Sequence, residues 1–289
     1  MKILVTGAAG QLGHDVVLEA EKNGIEAVGV DVAEMDITDA AKVLEVIGEI
    51  RPDAVIHCAA WTAVDAAEEE ENREKVRKIN AEGTRNIALA CKETGAKMLY
   101  ISTDYVFDGT GTEPWKPDCK SYAPLGWYGE TKLQGELAVS EILEKYFIVR
   151  IAWVFGKNGK NFVKTMLNVG KTHDEVRVVC DQIGTPTYTP DLSELLISMI
   201  QTEKYGYYHA TNEGGFISWY DFTCEIYRQA GLKTKVNPVT TAEYGLSKAK
   251  RPENSRLDKS KLVENGFKPL PDWKDALARY IVELREAEA

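Results

Sequence analysis

Lys2-Ile3-Leu4-Val5-Thr6-Gly7-Ala8-Ala9-Gly10-Gln11-Leu12-Gly13 opens the chain and decides its fold class. An apolar, β-branched run leads straight into G-x-x-G-x-x-G, and the residues after Gly10 have the composition of a helix. A strand that turns through glycines into a helix is where a backbone can approach a pyrophosphate. Without Cβ atoms the turn is tight, and the helix N-terminus offers unpaired N–H groups and a positive dipole. In that context Gly7, Gly10, Gln11, Leu12 and Gly13 read as cofactor-binding residues. Asp31 stands 18 residues beyond Gly13, at the end of the next apolar run. An acid there accepts from the ribose hydroxyls of NADH and repels the 2′-phosphate of NADPH. No Arg or Lys lies between Asp31 and Asp36, so NADH is slightly favoured over NADPH; the competing reading is that Asp31 only caps a loop. Asp36 and Ile37 read as lining the adenine, with the alternative that Asp36 merely starts the following turn.

The rhythm of that opening continues. Strands expected at 2–6, 26–30, 54–59, 97–102 and 147–153 alternate with helices near 11–23, 40–50, 74–94 and 128–143. The strands are apolar on both faces, as strands covered by helices on both sides must be. An α/β fold follows: a doubly wound parallel sheet of Rossmann type, with a smaller C-terminal substrate-binding lobe. Beyond about residue 155, six prolines (186, 190, 238, 252, 269 and 271) punctuate shorter elements. These are strands near 176–180 and 207–210 and helices near 191–201 and 218–230. Residues 1–155 are therefore expected to bind the dinucleotide, with return segments near 185–212, and 156–289 to form mainly the interleaved lobe. The four acids at 68–71 and the basic stretch after them read as solvated surface.

Composition narrows the classes. The 289 residues are 44% hydrophobic and 28% charged, and 35 basic against 45 acidic side chains leave a net charge of −10. That balance argues against a nucleic-acid partner. No apolar run approaches the roughly 20 residues of a membrane span, and the first one is too short for a signal peptide. Cys58, Cys91, Cys119, Cys180 and Cys224 are scattered without a C-x-x-C pair, so a reducing, cytoplasmic setting is expected. His14, His57, His173 and His209 show no ligand spacing, and no metal site is read.

Tyr128-Gly129-Glu130-Thr131-Lys132 supplies the chemistry. At about 100° per residue, Tyr128, Lys132, Gly135, Val139, Ile142 and Leu143 share one arc of a helix, with Glu130, Glu141 and Glu144 opposite. A lysine on the inward arc is costly unless its charge is held. A tyrosine titrates near about 10, and a neighbouring ammonium lowers that value. Bringing it to about 7 requires roughly 4 kcal/mol of differential stabilisation. Tyr128 is thus read as the general acid of a carbonyl reduction and Lys132 as its tuner. The plainer alternative is a snorkelling lysine beside a surface tyrosine. A hydroxyl at the end of a central strand, Ser102 or Thr103, is placed to bind the carbonyl oxygen.

With these pieces in hand, the chain resembles the extended short-chain dehydrogenase/reductases that act on nucleotide sugars. The phrases carrying the resemblance are VTGAAGQLG from Val5, CAAWTAVDAAE from Cys58, INAEGTRNIA from Ile79 and STDYVFDG from Ser102. YGETKLQGE from Tyr128, RIAWVFG from Arg150, DQIGTPT from Asp181 and RPENSRLD from Arg251 complete the set, in fixed order. Within the family they look like the branch that passes a hydride to C4 of dTDP-4-dehydro-6-deoxy-L-mannose. The resemblance implies Thr103 as the hydroxyl residue, Tyr128 as the acid and Lys132 as the lysine. It implies Ala59, Ala60 and Thr62 beside the cofactor, Asp104, Tyr105 and Trp153 against the sugar, and Arg251 on the nucleotide diphosphate. Trp61 and Ala66 depart from the family's commoner tyrosine and lysine. A small-molecule nucleotide sugar is the implied partner, and a homodimer is compatible with the class. Two other readings stay open: a 4-epimerase or dehydratase on the same fold, and a non-catalytic subunit like that of methionine adenosyltransferase.

Overall fold

The structure, a computed structural model, describes residues 1–245 and 247–288. Strand β1 (Lys2–Thr6) turns through the glycines into α1 (Gln11–Lys22), followed by β2 (Glu26–Val30), α2 (Ala40–Ile50) and β3 (Ala54–His57). Next come α3 (Val64–Ala67), α4 (Glu70–Arg77), α5 (Thr84–Thr94), β4 (Lys97–Thr103), α6 (Trp127–Ile142) and β5 (Tyr146–Ile151). The second half begins with β6 (Val154–Phe155), α7 (Phe162–Gly170), β7 (Glu175–Val179), β8 (Ile183–Gly184), β9 (Thr187–Tyr188), α8 (Thr189–Ile200) and β10 (Gly206–His209). It ends with β11 (Ile217–Ser218), α9 (Trp219–Ala230), β12 (Lys235–Val239), α10 (Thr241–Tyr244), α11 (Ser260–Glu264) and α12 (Trp273–Glu288).

Six strands pair in parallel in the order β10-β5-β4-β3-β1-β2. Alternate side chains of each strand feed opposite cores, as strand geometry requires. Ile3 and Val5 pack with Val16 of α1 and Leu196 of α8, whereas Leu4 packs with Val43 of α2, Ile87 of α5 and Val139 of α6. The chain leaves β1 in one direction toward β2 and in the other toward β3, so the crevice of the sheet opens at their carboxyl ends. A third core of Phe155, Phe222, Trp273 and Tyr280 holds the lobe together. The chain crosses back into the sheet through α8 and the edge strand β10.

Several boundaries differ from the sequence expectation, each for a physical reason. β3 stops at His57, and the backbone after it bends over Gly7, where a Cβ would lie 2.8 Å from the Ala59 nitrogen. The single helix expected at 74–94 starts earlier and is interrupted by a π-helical turn at Lys78–Gly83. β12 has no strand pattern in the sequence because Pro238 breaks it; as an edge strand paired with β7 it tolerates the missing donor. α12 lies outside the expected elements, and its Trp273, Ala276, Leu277, Tyr280 and Ile281 are spaced for one buried helical face. Among the described residues, no helix is long and apolar enough to cross a membrane.

Candidate active site

One cleft of about 1350 Å³ lies over the carboxyl edge of the sheet. Every residue expected at the site borders it except Arg251. At its cofactor end Gly7 adopts φ +66, which L side chains rarely take, and a Cβ on Gly13 would collide with the Gly7 carbonyl. Gly10 is the N-cap of α1 with no side-chain cap, so the first-turn N–H groups face the cleft free of an internal acceptor. The Gln11 side-chain oxygen Oε1 accepts from Asn161 Nδ2 at 2.9 Å, tying the helix to the lobe. Asp31 both borders the cleft and braces the loop: its carboxylate accepts from the Ala9 and Val32 N–H groups, each at 3.0 Å. Asp36 likewise does two things, lining the cleft and accepting from the Thr38 N–H at 2.9 Å to form the turn.

At the other end, β4 delivers Thr103 and the first turns of α6 deliver Tyr128 and Lys132. Lys132 is 3% exposed. Its ammonium donates to the Ile101 carbonyl at 2.7 Å and sits 4.1 Å from the centre of the Tyr100 ring. The Tyr128 and Tyr105 rings meet edge-on at 5.5 Å, and Thr103 borders the cleft with them. The expected lowering of Tyr128 by Lys132 is corrected here. Burial pushes the phenol above its ordinary value, and the Thr103 hydroxyl offsets only part of that. Lys132 aims its charge at a carbonyl and is itself pulled down to about 7 by burial, opposed by Glu136 and Cys58.

The buried face of α6 is wider than the expected arc. Glu136 and Arg150 are both fully buried and form a two-pronged pair, Nη2 to Oε2 at 2.7 Å and Nε to Oε1 at 2.8 Å. Neither was singled out in the sequence, because the pairing joins a helix to a strand. Glu68, expected to be a solvated acid, accepts from the Trp127 N–H at 2.7 Å and so caps α6 from outside. Asn80, on the π-helical turn, bonds the Trp61 N–H at 2.8 Å, the Trp61 carbonyl at 3.2 Å and the Thr131 hydroxyl at 3.2 Å. It fixes the loop after β3 against the helix that carries Tyr128. Such π-turns recur at functional sites.

On the wall expected to meet the sugar, Asp104 is buried and accepts from the Thr103 hydroxyl at 3.0 Å and from the Ser255 hydroxyl. Burial raises its carboxyl to about 6 despite both bonds. Trp153 takes φ +53, an unusual conformation for a bulky residue, and stacks on Trp219 with centroids 3.7 Å apart. Trp219, which also borders the cleft, carried no motif in the sequence. Arg251 bonds the Tyr105 hydroxyl at 3.3 Å and the Asp65 carboxylate at 2.7 Å. His57 bonds the Thr6 and Thr84 hydroxyls at 2.7 and 3.1 Å, and burial pulls it down to about 3, so it stays neutral.

A parallel sheet with its crevice at the strand-order reversal, a glycine loop at one end and a Thr-Tyr-Lys set at the other defines the extended short-chain dehydrogenase/reductase class. The family described as RmlD substrate binding domain matches residues 1–286, and the chain belongs to it. It is 45% identical to a crystal structure of a dTDP-4-dehydrorhamnose reductase from Clostridium acetobutylicum, with a TM-score of 0.94 over 99% of this chain and 100% of that one. A dTDP-4-dehydrorhamnose reductase from Bacillus anthracis in complex with NADP is 43% identical, with a TM-score of 0.93 over 98% and 99% of the chains. The dTDP-4-dehydrorhamnose reductase of Streptomyces griseus is 41% identical over 95% of this chain and 91% of its own length.

Proposed function

We propose that this chain reduces the C4 ketone of dTDP-4-dehydro-6-deoxy-L-mannose to dTDP-L-rhamnose with NADH or NADPH. One observation carries the reading: Thr103, Tyr128 and Lys132 border the same cleft as the glycine loop and Asp31. The cofactor end fits a dinucleotide, since the uncapped start of α1 and the close approach permitted at Gly7 and Gly13 suit a pyrophosphate. Asp31 and Glu34, whose carboxylate accepts from the Asp31 N–H at 2.9 Å, put two acids at the end of β2 and favour NADH.

When bound, the reduced nicotinamide supplies the hydride that C4 takes up. The chain's part is to hold the ketone and deliver one proton. Tyr128 Oη gives that proton to the C4 oxygen as negative charge develops there. Its raised pKa keeps the phenol fully protonated at neutral pH, as a donor must be. The Thr103 hydroxyl steadies the oxygen, and Lys132 holds its ammonium on the Ile101 carbonyl at the cleft floor. Asp104, Tyr105 and Trp153 form the sugar's wall, with Arg251 bracing Tyr105. The net charge of −10 argues against a nucleic-acid partner. All five cysteines are free, which suits the cytoplasm, and a homodimer is the assembly proposed. Incubating the protein with the 4-keto sugar and each reduced cofactor tests the reading. One reduced nicotinamide should be lost per dTDP-L-rhamnose formed; sugar turnover with no net loss rejects the reductase.

A further inference from the structure

Trp153 borders the cleft at φ +53, a region that bulky L residues rarely enter. Such a conformation persists only where the surroundings over-determine it. Its backbone is pinned where β6 pairs with β9: the Trp153 carbonyl accepts from the Thr187 N–H at 3.1 Å, and the Ala152 carbonyl from the Thr187 hydroxyl at 2.6 Å. The side chain is held separately. β8 and β11 pair antiparallel, with Ile217 opposite Gly184 and Ser218 opposite Ile183, which brings Gly184 beside the start of α9. The Trp153 indole packs on both. It stacks on Trp219 with centroids 3.7 Å apart and planes 17° from parallel. Against Gly184, a Cβ would lie 3.0 Å from Trp153 Cε2, so any side chain there would crowd the ring. Trp219 is itself fixed. Ser218 and Asp221 close a capping box beneath it, and the Phe162 ring backs it at 4.4 Å, with Phe222 of the lobe's core at 6.3 Å.

We propose that Trp219, seated by the β8–β11 ladder, is a positioning residue that fixes the angle at which Trp153 meets the sugar. The inference rests on the reductase reading and on Trp153 as part of the sugar's wall. An indole already locked in one rotamer loses no freedom when the sugar arrives, so its packing is retained as affinity. Without the Trp219 face the ring has space to adopt other rotamers, and part of that affinity goes into ordering it again. The loss therefore falls on sugar binding. Hydride and proton transfer, which depend on groups delivered by β4 and α6, keep their geometry.

Trp219→Leu should raise the KM for the 4-keto sugar about tenfold, while kcat falls by less than about threefold. Its Kd for NADH, read by fluorescence titration, should stay within about twofold of the original protein. Trp219→Phe keeps an aromatic face and should bring that KM back to within about threefold. A double-mutant cycle separates support from direct contact. In a Trp153→Ala background, Trp219→Leu should change kcat/KM by less than about twofold, because the residue it acts through is gone. Stacked indoles also couple excitonically, so the ligand-free original protein should show a far-ultraviolet circular-dichroism couplet that Trp153→Ala and Trp219→Leu each abolish. Effects of the two substitutions that multiply, or sugar and NADH affinity lost together, overturn the assignment. So do equal losses in Trp219→Leu and Trp219→Phe, or an original protein without the couplet. If the original protein shows the couplet and yet oxidises no NADH with the 4-keto sugar, the reductase reading falls, and the inference with it.

Discussion

Lys132 shows what a single residue contributes. Its ammonium is held near a pKa of about 7 because the cleft floor is dry, and that position sets two opposite trends. Activity that uses the cation should decline as pH rises through about 7. Stability runs the other way. A base whose folded pKa lies below its unfolded value costs stability while it is charged, and that cost fades between the folded and unfolded values. Replacing Lys132 by Met should therefore raise stability relative to the original protein more at about pH 6 than at about pH 9, read from denaturant unfolding at each pH. An equal difference at both would place the lysine in contact with water. Asp31 is the second residue with a separable effect. Asp31→Ala removes the acid that opposes a 2′-phosphate, so the ratio of kcat/KM for NADPH to that for NADH should rise about tenfold. A ratio that stays put would assign the side chain to bracing Ala9 alone.

At the scale of elements, α6 depends on partners remote in sequence. Its own N-cap is Gly126, which offers no side chain, and Glu68 supplies the acceptor instead. Glu68→Ala should cost about 1 kcal/mol of stability, and Glu68→Gln, which keeps an acceptor, should restore most of it. Equal losses in the two variants would mean that the carboxylate's charge matters more than its bond. Beneath the helix, Arg150 and Glu136 are buried beyond reach of water. Arg150→Met strands a carboxylate and should cost about 3–5 kcal/mol in unfolding experiments, whereas pairing it with Glu136→Leu should recover much of the loss. A double variant as unstable as the single one would show that the pair holds β5 to α6 by more than charge neutralisation.

Across the whole molecule, what could be read from the sequence was local. The glycine turn, Asp31, the strand-end Thr103 and the four-residue spacing of Tyr128 and Lys132 each lie within a single turn or one βα unit, where chemistry and spacing coincide. The parallel sheet followed from strands apolar on both faces. Residues that act by pairing across elements left no such trace: Glu136 with Arg150, Glu68 with Trp127, Asn80 with Trp61, Asp104 with Ser255. The π-turn at Lys78–Gly83 was hidden for a related reason, since a helix-like composition does not reveal how its hydrogen bonds are offset. α12 does carry a helical apolar spacing, but it follows Pro269 and Pro271, which mark the approach to it as loop. Arg251 belongs with the residues that pair across elements, since its bonds to Tyr105 and Asp65 join segments remote in sequence.

The central claim is that Tyr128 gives its proton to the ketone oxygen, and one substitution addresses it most directly. Tyr128→Phe removes a single oxygen from a half-buried ring that meets Tyr105 edge-on, and leaves the glycine loop untouched. Steady-state turnover of the 4-keto sugar should fall about 100-fold or more while NADH binding, read by fluorescence titration, changes by less than about twofold. Turnover within about twofold of the original protein would contradict the account.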